Sequence, residues 1–388
     1  MVVCLVLDLT CKSSALNIKL NNPKPWRTNS RKFYKNNQSV ALWEKYNAEL
    51  PVKICLALKY GFVDYINWHK NGDFKNKQYL RNACFGGNHT LISFVSSRID
   101  LDDYRCWLQG LYGACELGDI NIVSLMLSKL GPQKLITSRA MNIAAAKGHF
   151  DIVKLLCSIF PFGGVGDAAL NNREDILMYL LEKQPEQINE ALYSACEGGH
   201  NVIIEKLISM GADNWDYGFI GACRGKHIAP IKEMIARGAT IFDIGLKIVC
   251  EGVILNTPVL ELVNLMIEKG ANNFNEALFA CCQADQCSYK VMKLLVSKGA
   301  DDFNEAMSNA CTYGNLLAAM YMVYLGVKFT DNHFLYACRS KNLKLVEYLV
   351  ENYSNKIITN KVLTITRKYG KPEIVEYLIK NGAVDIIL

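Results

Sequence analysis

Histidine and cysteine are the residue types in this 388-residue chain best suited to metal binding or nucleophilic catalysis. The chain has six histidines, and three of them, His149, His200 and His227, fall at one position of an internal repeat described below. Ligands of one metal ion must converge on a single point, whereas residues repeated at a fixed interval are spread along an axis. We therefore predict that these three histidines form hydrogen bonds that order a loop between neighbouring repeats.

The cysteines also favour a structural role. The one dense group, Cys281, Cys282 and Cys287, lacks the second pair or nearby histidine that a zinc site requires. Eight of the 15 cysteines share a single position of the repeat, which indicates a small core residue. So many cysteines in a long chain without a recognisable signal peptide indicate a reduced protein. We expect an intracellular, cytoplasmic location.

No other motif predicts catalysis. The segment Phe162-Gly-Gly-Val-Gly-Asp167 is rich in glycine, but it matches neither a dinucleotide-binding fingerprint nor a P-loop, so we interpret it as a loop. Hydrolase, zinc-protease and kinase motifs are absent from the sequence. We predict that the chain is not an enzyme and that it has no catalytic residue, no cofactor, no metal site and no small-molecule substrate.

The net charge of +6 is concentrated near the N-terminus. Residues 9–43 contain seven basic side chains and no acidic one, and outside them 36 basic residues face 37 acidic ones. This balance argues against a long basic surface for nucleic acid. A nucleic-acid or anionic-membrane contact through the basic arm, Lys12 to Lys35, remains an alternative to a solvated surface. No stretch of 18 uncharged apolar residues occurs, so we predict no membrane span.

An internal repeat with a mean period of about 28 residues accounts for most of the chain. Its clearest unit runs from Asn189 to Asp213, and close copies begin at Asn275 and Asn304. We take the position of Cys196 as the reference position of the repeat. Its counterparts, with fainter ones at Leu58 and Arg367, are Cys84, Cys115, Ala145, Ala169, Cys223, Cys250, Cys282, Cys311 and Cys338.

Each repeat reads as two short antiparallel helices. Asn189, Asn275 and Asn304 are predicted N-caps of the first helix, and small residues at the reference position let neighbouring helices approach closely. The second helix carries apolar residues at helical spacing and ends at a glycine, as at Gly211. A single unit cannot bury its apolar face, but stacked units can. We predict an all-α solenoid of about twelve helix-loop-helix repeats.

The segments 145–156 and 195–213 resemble the ankyrin repeat, whose pattern is A-A-x-x-G-H-x-x-I-V-x-x-L-L-x-x-G-A-D. The resemblance spans close to 340 residues, but the period is shorter than the family's 33 residues and the T-P-L-H segment is missing. We therefore expect blunt loops in place of the hairpin fingers. Such ankyrin-like arrays are common in proteins of large DNA viruses and amoeba-associated microbes, so the resemblance implies a viral or microbial protein acting in a host cell.

We divide the chain into a non-repetitive N-terminal cap, residues 1–50, and a repeat array, residues 51–388. Unequal spacing of the reference positions predicts departures from uniform stacking around residues 161–164 and 256–258. The segment from Leu50 to Leu58 faintly resembles the start of an F-box, which recruits ubiquitin-ligase machinery. It also reads as the first helix of the first repeat.

We predict a monomeric, non-catalytic scaffold that binds a protein partner. The resemblance implies that partners contact the residues that end each first helix on the concave face, one or two positions after the reference position. Most of these positions change in charge and size from one repeat to the next, and large Tyr and Arg side chains are the best candidates for anchors. The predicted partner-binding residues are Glu197, Arg224, Glu251, Gln283, Thr312, Tyr313, Arg339, Lys368 and Tyr369. The alternatives are an adaptor that binds a ubiquitin ligase through residues 44–70 and a protein that contacts nucleic acid through its basic arm.

Overall fold

The structure is a computed structural model. It describes residues 50–63, 66, 77–100, 103–131, 138–252, 259–283, 288–340, 342–353, 360–369 and 371–382. Over these ranges the chain forms 23 α-helices and one short 3-10 helix, Pro185–Gln187, without a β-strand. The prediction of an all-α fold is confirmed. The predicted N-terminal cap lies outside the described residues, except for Leu50.

The first compact unit of the chain spans Met1–Ile136. The helices among its described residues are α1 (Leu50–Tyr60), α2 (Lys77–Gly86), α3 (His89–Ser96), α4 (Tyr104–Leu117) and α5 (Ile120–Leu130). Helices α1, α2 and α4 pack side by side, while α3 packs on α2 and α5 packs on α4. The described residues of this unit therefore form one helix followed by two helix pairs.

The second compact unit, Thr137–Leu388, contains nine further helix pairs among its described residues. They are α6 (Ser138–Lys147) with α7 (Phe150–Ile159), α8 (Val165–Leu170) with α9 (Glu174–Lys183), α10 (Ile188–Gly198) with α11 (Asn201–Ser209), α12 (Trp215–Gly225) with α13 (Ile228–Arg237), α14 (Phe242–Cys250) with α15 (Val259–Glu268), α16 (Phe274–Gln283) with α17 (Tyr289–Ser297), α18 (Phe303–Tyr313) with α19 (Leu316–Tyr324), α20 (Asp331–Arg339) with α21 (Leu343–Tyr353), and α22 (Asn360–Tyr369) with α23 (Pro372–Lys380). Each pair packs against the next in chain order.

The second unit therefore has two layers. The first helices of its pairs, the even-numbered helices from α6 to α22, contact one another in sequence and form what we call the first-helix layer. Each remaining helix packs on the first helix of its own pair, and together these form the second-helix layer. Two contacts show that helices α10 and α12 run parallel. Glu190 near the start of α10 contacts Tyr217 near the start of α12, and the carbonyl of Glu197 near the end of α10 lies against Gly225 at the end of α12.

The core of both units is built around the reference position. Except at the last counterpart, the residues at this position are fully buried or nearly so. They are Cys196, Leu58 and the nine counterparts from Cys84 to Cys338. Arg367, the faint last counterpart, is exposed. Leu58 lies in α1, which packs on α2 as later first helices pack on one another. The segment with the F-box-like start thus has the position of a first helix in the series.

Glycine allows neighbouring first helices to come into backbone contact. A Cβ atom added at Gly221 in α12 would collide with the carbonyl oxygen of Tyr193 in α10, and one at Gly113 in α4 would collide with that of Arg81 in α2. Gly198 has a similar environment, with a Cβ position 2.6 Å from the Leu170 carbonyl oxygen. A methyl group at these positions would force the helices apart.

The prediction that Asn189, Asn275 and Asn304 are N-caps is wrong, because α10, α16 and α18 each begin one residue earlier. All three asparagines are the second residue of their helix. The true cap of α18 is Asp302, whose carboxylate accepts from the Glu305 backbone N–H. The Asn189 side-chain oxygen instead accepts from the backbone N–H groups of Asp213 and Asn214, at 3.1 and 3.0 Å, in the loop that leads into α12.

The same interaction recurs along the second unit. Asn275 accepts from the backbone N–H groups of Asp301 and Asp302, and Asp243 accepts from those of Asn272 and Asn273. The N–H groups that donate these bonds lie in short loops. Each loop has three residues between the turn that ends a second helix and the start of the next first helix, for example residues 212–214 and 300–302. A polar side chain in one helix pair therefore fixes the short loop that leads into the next pair.

The connection around residues 161–164 departs from the regular pattern, and it leads into α8, which has only six residues. Gly163 and Gly164 both have positive φ, at 94° and 83°. The buried Gln184 side chain accepts from the Gly163 N–H at 3.0 Å and donates to its carbonyl oxygen at 3.2 Å. The second predicted departure, around residues 256–258, lies outside the described residues.

Candidate partner-binding face

The predicted partner-binding residues lie at equivalent ends of successive first helices. Glu197 and Arg224 are in the last turn of α10 and α12, and Glu251 directly follows α14. The others occupy the last two positions of their helices: Gln283 in α16, Thr312 and Tyr313 in α18, Arg339 in α20, and Lys368 and Tyr369 in α22. Because these helices pack in sequence, the residues follow one edge of the first-helix layer.

Most of these side chains are exposed to solvent. Arg224, Glu251, Thr312, Arg339 and Lys368 are exposed, and 51% of the surface of Tyr313 is accessible. Glu197 and Gln283 are half-buried. The side chain of Tyr369 lies outside the described residues.

The structure brings Glu197 and Arg224 together, whereas Gln283 is bonded to a different neighbour. Glu197 and Arg224 both face Tyr193, whose pKa is raised by burial and by the carboxylate of Glu197 and is lowered by the guanidinium of Arg224. Gln283 instead donates to the side-chain oxygen of Asn309 in α18, at 3.0 Å. The predicted set is therefore one row of positions with Glu197 and Arg224 as neighbours.

A tyrosine pair near this row was not predicted from the sequence. The rings of Tyr193 in α10 and Tyr217 in α12 stack with centroids 4.6 Å apart and planes 25° apart. The Tyr217 hydroxyl donates to a Glu190 carboxylate oxygen at 2.6 Å, and this bond is the main reason that the pKa of Tyr217 rises to about 12. Both rings are half-buried, while Glu190 is exposed.

The spacing of the repeat does not predict that these two tyrosines are in contact. Tyr193 and Tyr217 are 24 residues apart, whereas the reference residues of their helices, Cys196 and Cys223, are 27 apart. The two tyrosines therefore occupy different positions of the repeat, and comparison of equivalent positions would not join them. A search for aromatic residues on the exposed side of each first helix would have found both.

A third carboxylate lies close to Glu190. Asp167 in α8 is half-buried, and its pKa is raised first by burial and then by the negative charge of Glu190 in α10. Arg224 also acts on Tyr217, since it lowers the pKa of that phenol. Three carboxylates, two stacked phenols and one guanidinium therefore share the surface formed by α8, α10 and α12.

The histidines at the shared repeat position lie at contacts between helix pairs. A ring nitrogen of His200 lies 2.8 Å from the carbonyl oxygen of Leu170 in α8, one pair earlier. The ring of His227 lies so close to Gly199 that a Cβ atom there would come within 2.7 Å of it. The predicted loop bond is thus found at His200.

Two of the three clustered cysteines lie in the core of the second unit. Cys281 and Cys282 are buried and form no disulfide bond within the described part of the chain, and Cys287 lies outside the described residues. Burial raises the pKa of Cys196, Cys223, Cys311 and Cys338 to about 12, which keeps them in the unreactive thiol form. Where side chains are described, no three His, Cys, Asp or Glu residues come together as metal ligands would.

Two alternatives from the sequence stay predictions. The basic arm from Lys12 to Lys35 lies outside the described ranges, and the F-box-like segment is seen only as helix α1. The longest described helix, α4, has 14 residues, and none in the described ranges could cross a membrane. No model of a known protein family matches the chain, and no curated protein matches it either.

Proposed function

We propose that this chain is a non-catalytic protein-interaction scaffold, an ankyrin-like solenoid that binds a partner protein through the first-helix layer of its second unit. The observation that carries the proposal is the contrast within each first helix between a constant core and a variable surface. The reference position is Cys or Ala from α6 to α20 and is buried there, while the next residue changes between Glu, Arg, Gln, Thr and other types.

The packing of the first helices supports this assignment. Backbone contacts and side-chain bonds to the loops fix the spacing of adjacent helix pairs, as at Gly221 with Tyr193 and at Asn189 with Asp213. A surface on such a support can change one residue at a time without loss of the fold. This combination suits recognition of an extended partner surface, because side chains held on rigid elements lose little entropy on binding.

Charge reversal on the two layers tests the proposal. The variant Arg224→Glu/Arg339→Glu changes exposed residues of the first-helix layer, and Lys232→Glu/Lys290→Glu makes the same change in net charge on the second-helix layer. Each tagged variant is used to recover partners from cells that naturally contain the protein, with quantification by mass spectrometry. We expect the first variant to lose a partner by about tenfold, which corresponds to about 1.4 kcal/mol, while the control retains it.

Thermal unfolding of both variants checks that the fold is intact. A midpoint within a few degrees of the unmodified protein is expected, because all four residues are exposed. Equal partner recovery by the two variants, or loss only in the second-helix variant, would reject the first-helix layer as the binding surface.

A further inference from the structure

The middle of the first-helix layer, from α8 to α18, carries an excess of negative charge. From α8 to α18 the first helices carry seven carboxylates and two cationic side chains, if the capping residue Lys226 is left out. The second helices from α9 to α19 carry seven carboxylates and six cationic side chains. The first-helix carboxylates are Asp167, Glu190, Glu197, Asp216, Asp243, Glu276 and Glu305. The first helices from α8 to α18 are therefore strongly negative, although over the whole first-helix layer, α6 to α22, eight carboxylates face eight cationic side chains.

Bonds within the fold account for part of this negative charge. Asp216 and Asp243 accept from backbone N–H groups of the following loops, and Glu276 pairs with Lys247 at 3.1 Å. Around the tyrosine pair the balance is different. Helices α8, α10 and α12 carry three further carboxylates, Asp167, Glu190 and Glu197, and Arg224 is the one cationic residue within these three helices, so they hold an excess of negative charge.

Helix stabilisation explains only some of these positions. Asp167 and Glu190 lie in the first turn of their helices, where a negative charge interacts favourably with the helix dipole. Glu197 lies in the last turn of α10, where the same dipole disfavours a carboxylate. Its partner within α10 is the phenol of Tyr193, four residues earlier, so Glu197 forms part of the same cluster as the tyrosine pair.

The tyrosine pair adds a second kind of recognition to this charged surface. An arginine side chain binds well to an aromatic face and to carboxylates at once, because its guanidinium is planar, always charged and able to donate two parallel hydrogen bonds. Tyr193 and Tyr217 supply the aromatic surface, and the bond from Tyr217 to Glu190 holds one ring and one carboxylate in a fixed relation. Glu197 lies beside the other ring.

We propose that the surface of α8, α10 and α12 around Tyr193 and Tyr217 docks a basic segment of the partner protein, with an arginine side chain placed against the tyrosine pair and bound by Glu190 and Glu197. The proposal rests on the function proposed above and specifies the chemistry of one segment of the partner. Arg224 and Arg339 contact other groups of that partner, so their charge reversal tests the general proposal and not the arginine site. Charge complementarity is the argument for this occupant, since a nucleic acid or an acidic peptide would be repelled by the same carboxylates.

Fluorescence anisotropy with defined peptides tests the proposal on the full chain. The probe is a fluorescein-labelled heptapeptide, Gly-Arg-Gly-Arg-Gly-Arg-Gly, in buffer with 0.15 M NaCl, and its comparator carries citrulline in place of arginine. Citrulline keeps the shape of arginine without its charge. We expect the arginine peptide to bind at least tenfold more tightly than the citrulline peptide.

Matched variants locate the binding site. The double variant Glu190→Gln/Glu197→Gln should raise the Kd of the arginine peptide about tenfold. Glu205→Gln/Glu261→Gln, which removes the same two charges from exposed positions of the second-helix layer, should leave it within twofold. Tyr193→Leu should weaken binding, while Tyr193→Phe, which retains the ring, should bind as the unmodified protein does.

The outcomes separate this proposal from the more general one. Equal affinity for the two peptides, or equal weakening by the two double variants, would overturn the arginine site. If the arginine site fails while Arg224→Glu/Arg339→Glu still loses the partner, the scaffold function stands with a partner of different chemistry. Loss of partner recovery in Glu190→Gln/Glu197→Gln, with the fold intact by thermal unfolding, would support both.

Discussion

Lys226 shows how one residue can connect neighbouring helix pairs. It ends α12 with a positive φ of 57°, at a position where Gly199 and Gly314 end other first helices. A non-glycine residue pays a conformational cost in this region of the backbone. Its buried ammonium group donates to the carbonyl oxygens of Glu251, at 2.9 Å, and Gly252, just beyond α14, and burial lowers its pKa.

We predict that Lys226→Met lowers the free energy of unfolding by about 2–3 kcal/mol, because it keeps the backbone cost and removes charged donors from two carbonyl groups. Urea unfolding followed by circular dichroism measures this change. The exposed substitution Lys232→Met is the control and should alter stability by less than about 0.5 kcal/mol. Equal effects of the two substitutions would show that the Lys226 bonds contribute nothing to stability.

His333 makes the stability of the second unit depend on pH. It is buried, its ring accepts from the Thr330 backbone N–H at 3.3 Å, and burial lowers its pKa despite opposing effects of the Asn304 backbone and Glu305. Below a pH of about 6.5 His333 is therefore protonated in the unfolded chain, whereas in the folded chain it stays neutral until the pH falls further. The resulting contribution to stability is complete above that pH and is lost as the pH falls below it.

We predict that the non-titrating variant His333→Gln loses less stability than the unmodified protein between pH 7.5 and pH 5.5. Glutamine suits this position because it can accept from the cap backbone N–H as the histidine does. Urea midpoints at both pH values provide the measurement, and the other histidines cancel in the comparison. Parallel loss in the two proteins would mean that His333 does not titrate differently on folding.

At the scale of helices, close contact between first helices explains the small residues in the sequence. Gly→Ala within a helix normally stabilises a protein by up to about 1 kcal/mol. At Gly221 the added Cβ would meet the rigid Tyr193 carbonyl, so we predict that Gly221→Ala destabilises by about 1–3 kcal/mol. Chemical unfolding of the full chain measures this effect.

Gly166 in α8 provides a matched control for this substitution. It is also a glycine in a first helix, but its added Cβ would lie 3.0 Å from the Ser194 hydroxyl oxygen, a side-chain atom rather than backbone. We expect Gly166→Ala to change stability much less than Gly221→Ala. If Gly221→Ala is neutral or stabilising, the helices are not held at the distance seen in the structure.

Much of the helix pattern could be predicted from the sequence, because the residue type at the reference position is tied to burial. Cys196 and Cys311 are recognisable as core residues from their spacing alone. The N-caps could not be identified in the same way, because asparagine suits both a helix cap and a side-chain bond to a distant loop. Only the position of Asp213 beside Asn189 distinguishes the two roles.

The candidate site shows a similar division. The repeat register was sufficient to place Glu197 and Arg224 at matching ends of adjacent helices. It could not join Tyr193 with Tyr217, because their contact depends on the offset between neighbouring helices rather than on equivalent positions. Sequence repetition thus predicts what successive units share, whereas contacts between unlike positions require the packed structure.

At the scale of the whole molecule, the central claim is that a partner protein binds the first-helix layer. Tyr313 and Tyr289 allow a direct comparison of the two layers, because they are the same residue type with 51% and 52% of their surface exposed. Tyr313 ends the first helix α18, and Tyr289 begins the second helix α17. A photo-crosslinking amino acid replacing each tyrosine therefore samples the two surfaces equally.

The most direct measurement is the yield of crosslinked partner from these two positions in cells that naturally contain the protein. We predict that the probe at position 313 captures the protein that Arg224→Glu/Arg339→Glu fails to recover, and that the probe at position 289 does not. Capture of that protein only from position 289, or with equal yield from both positions, would contradict the claim.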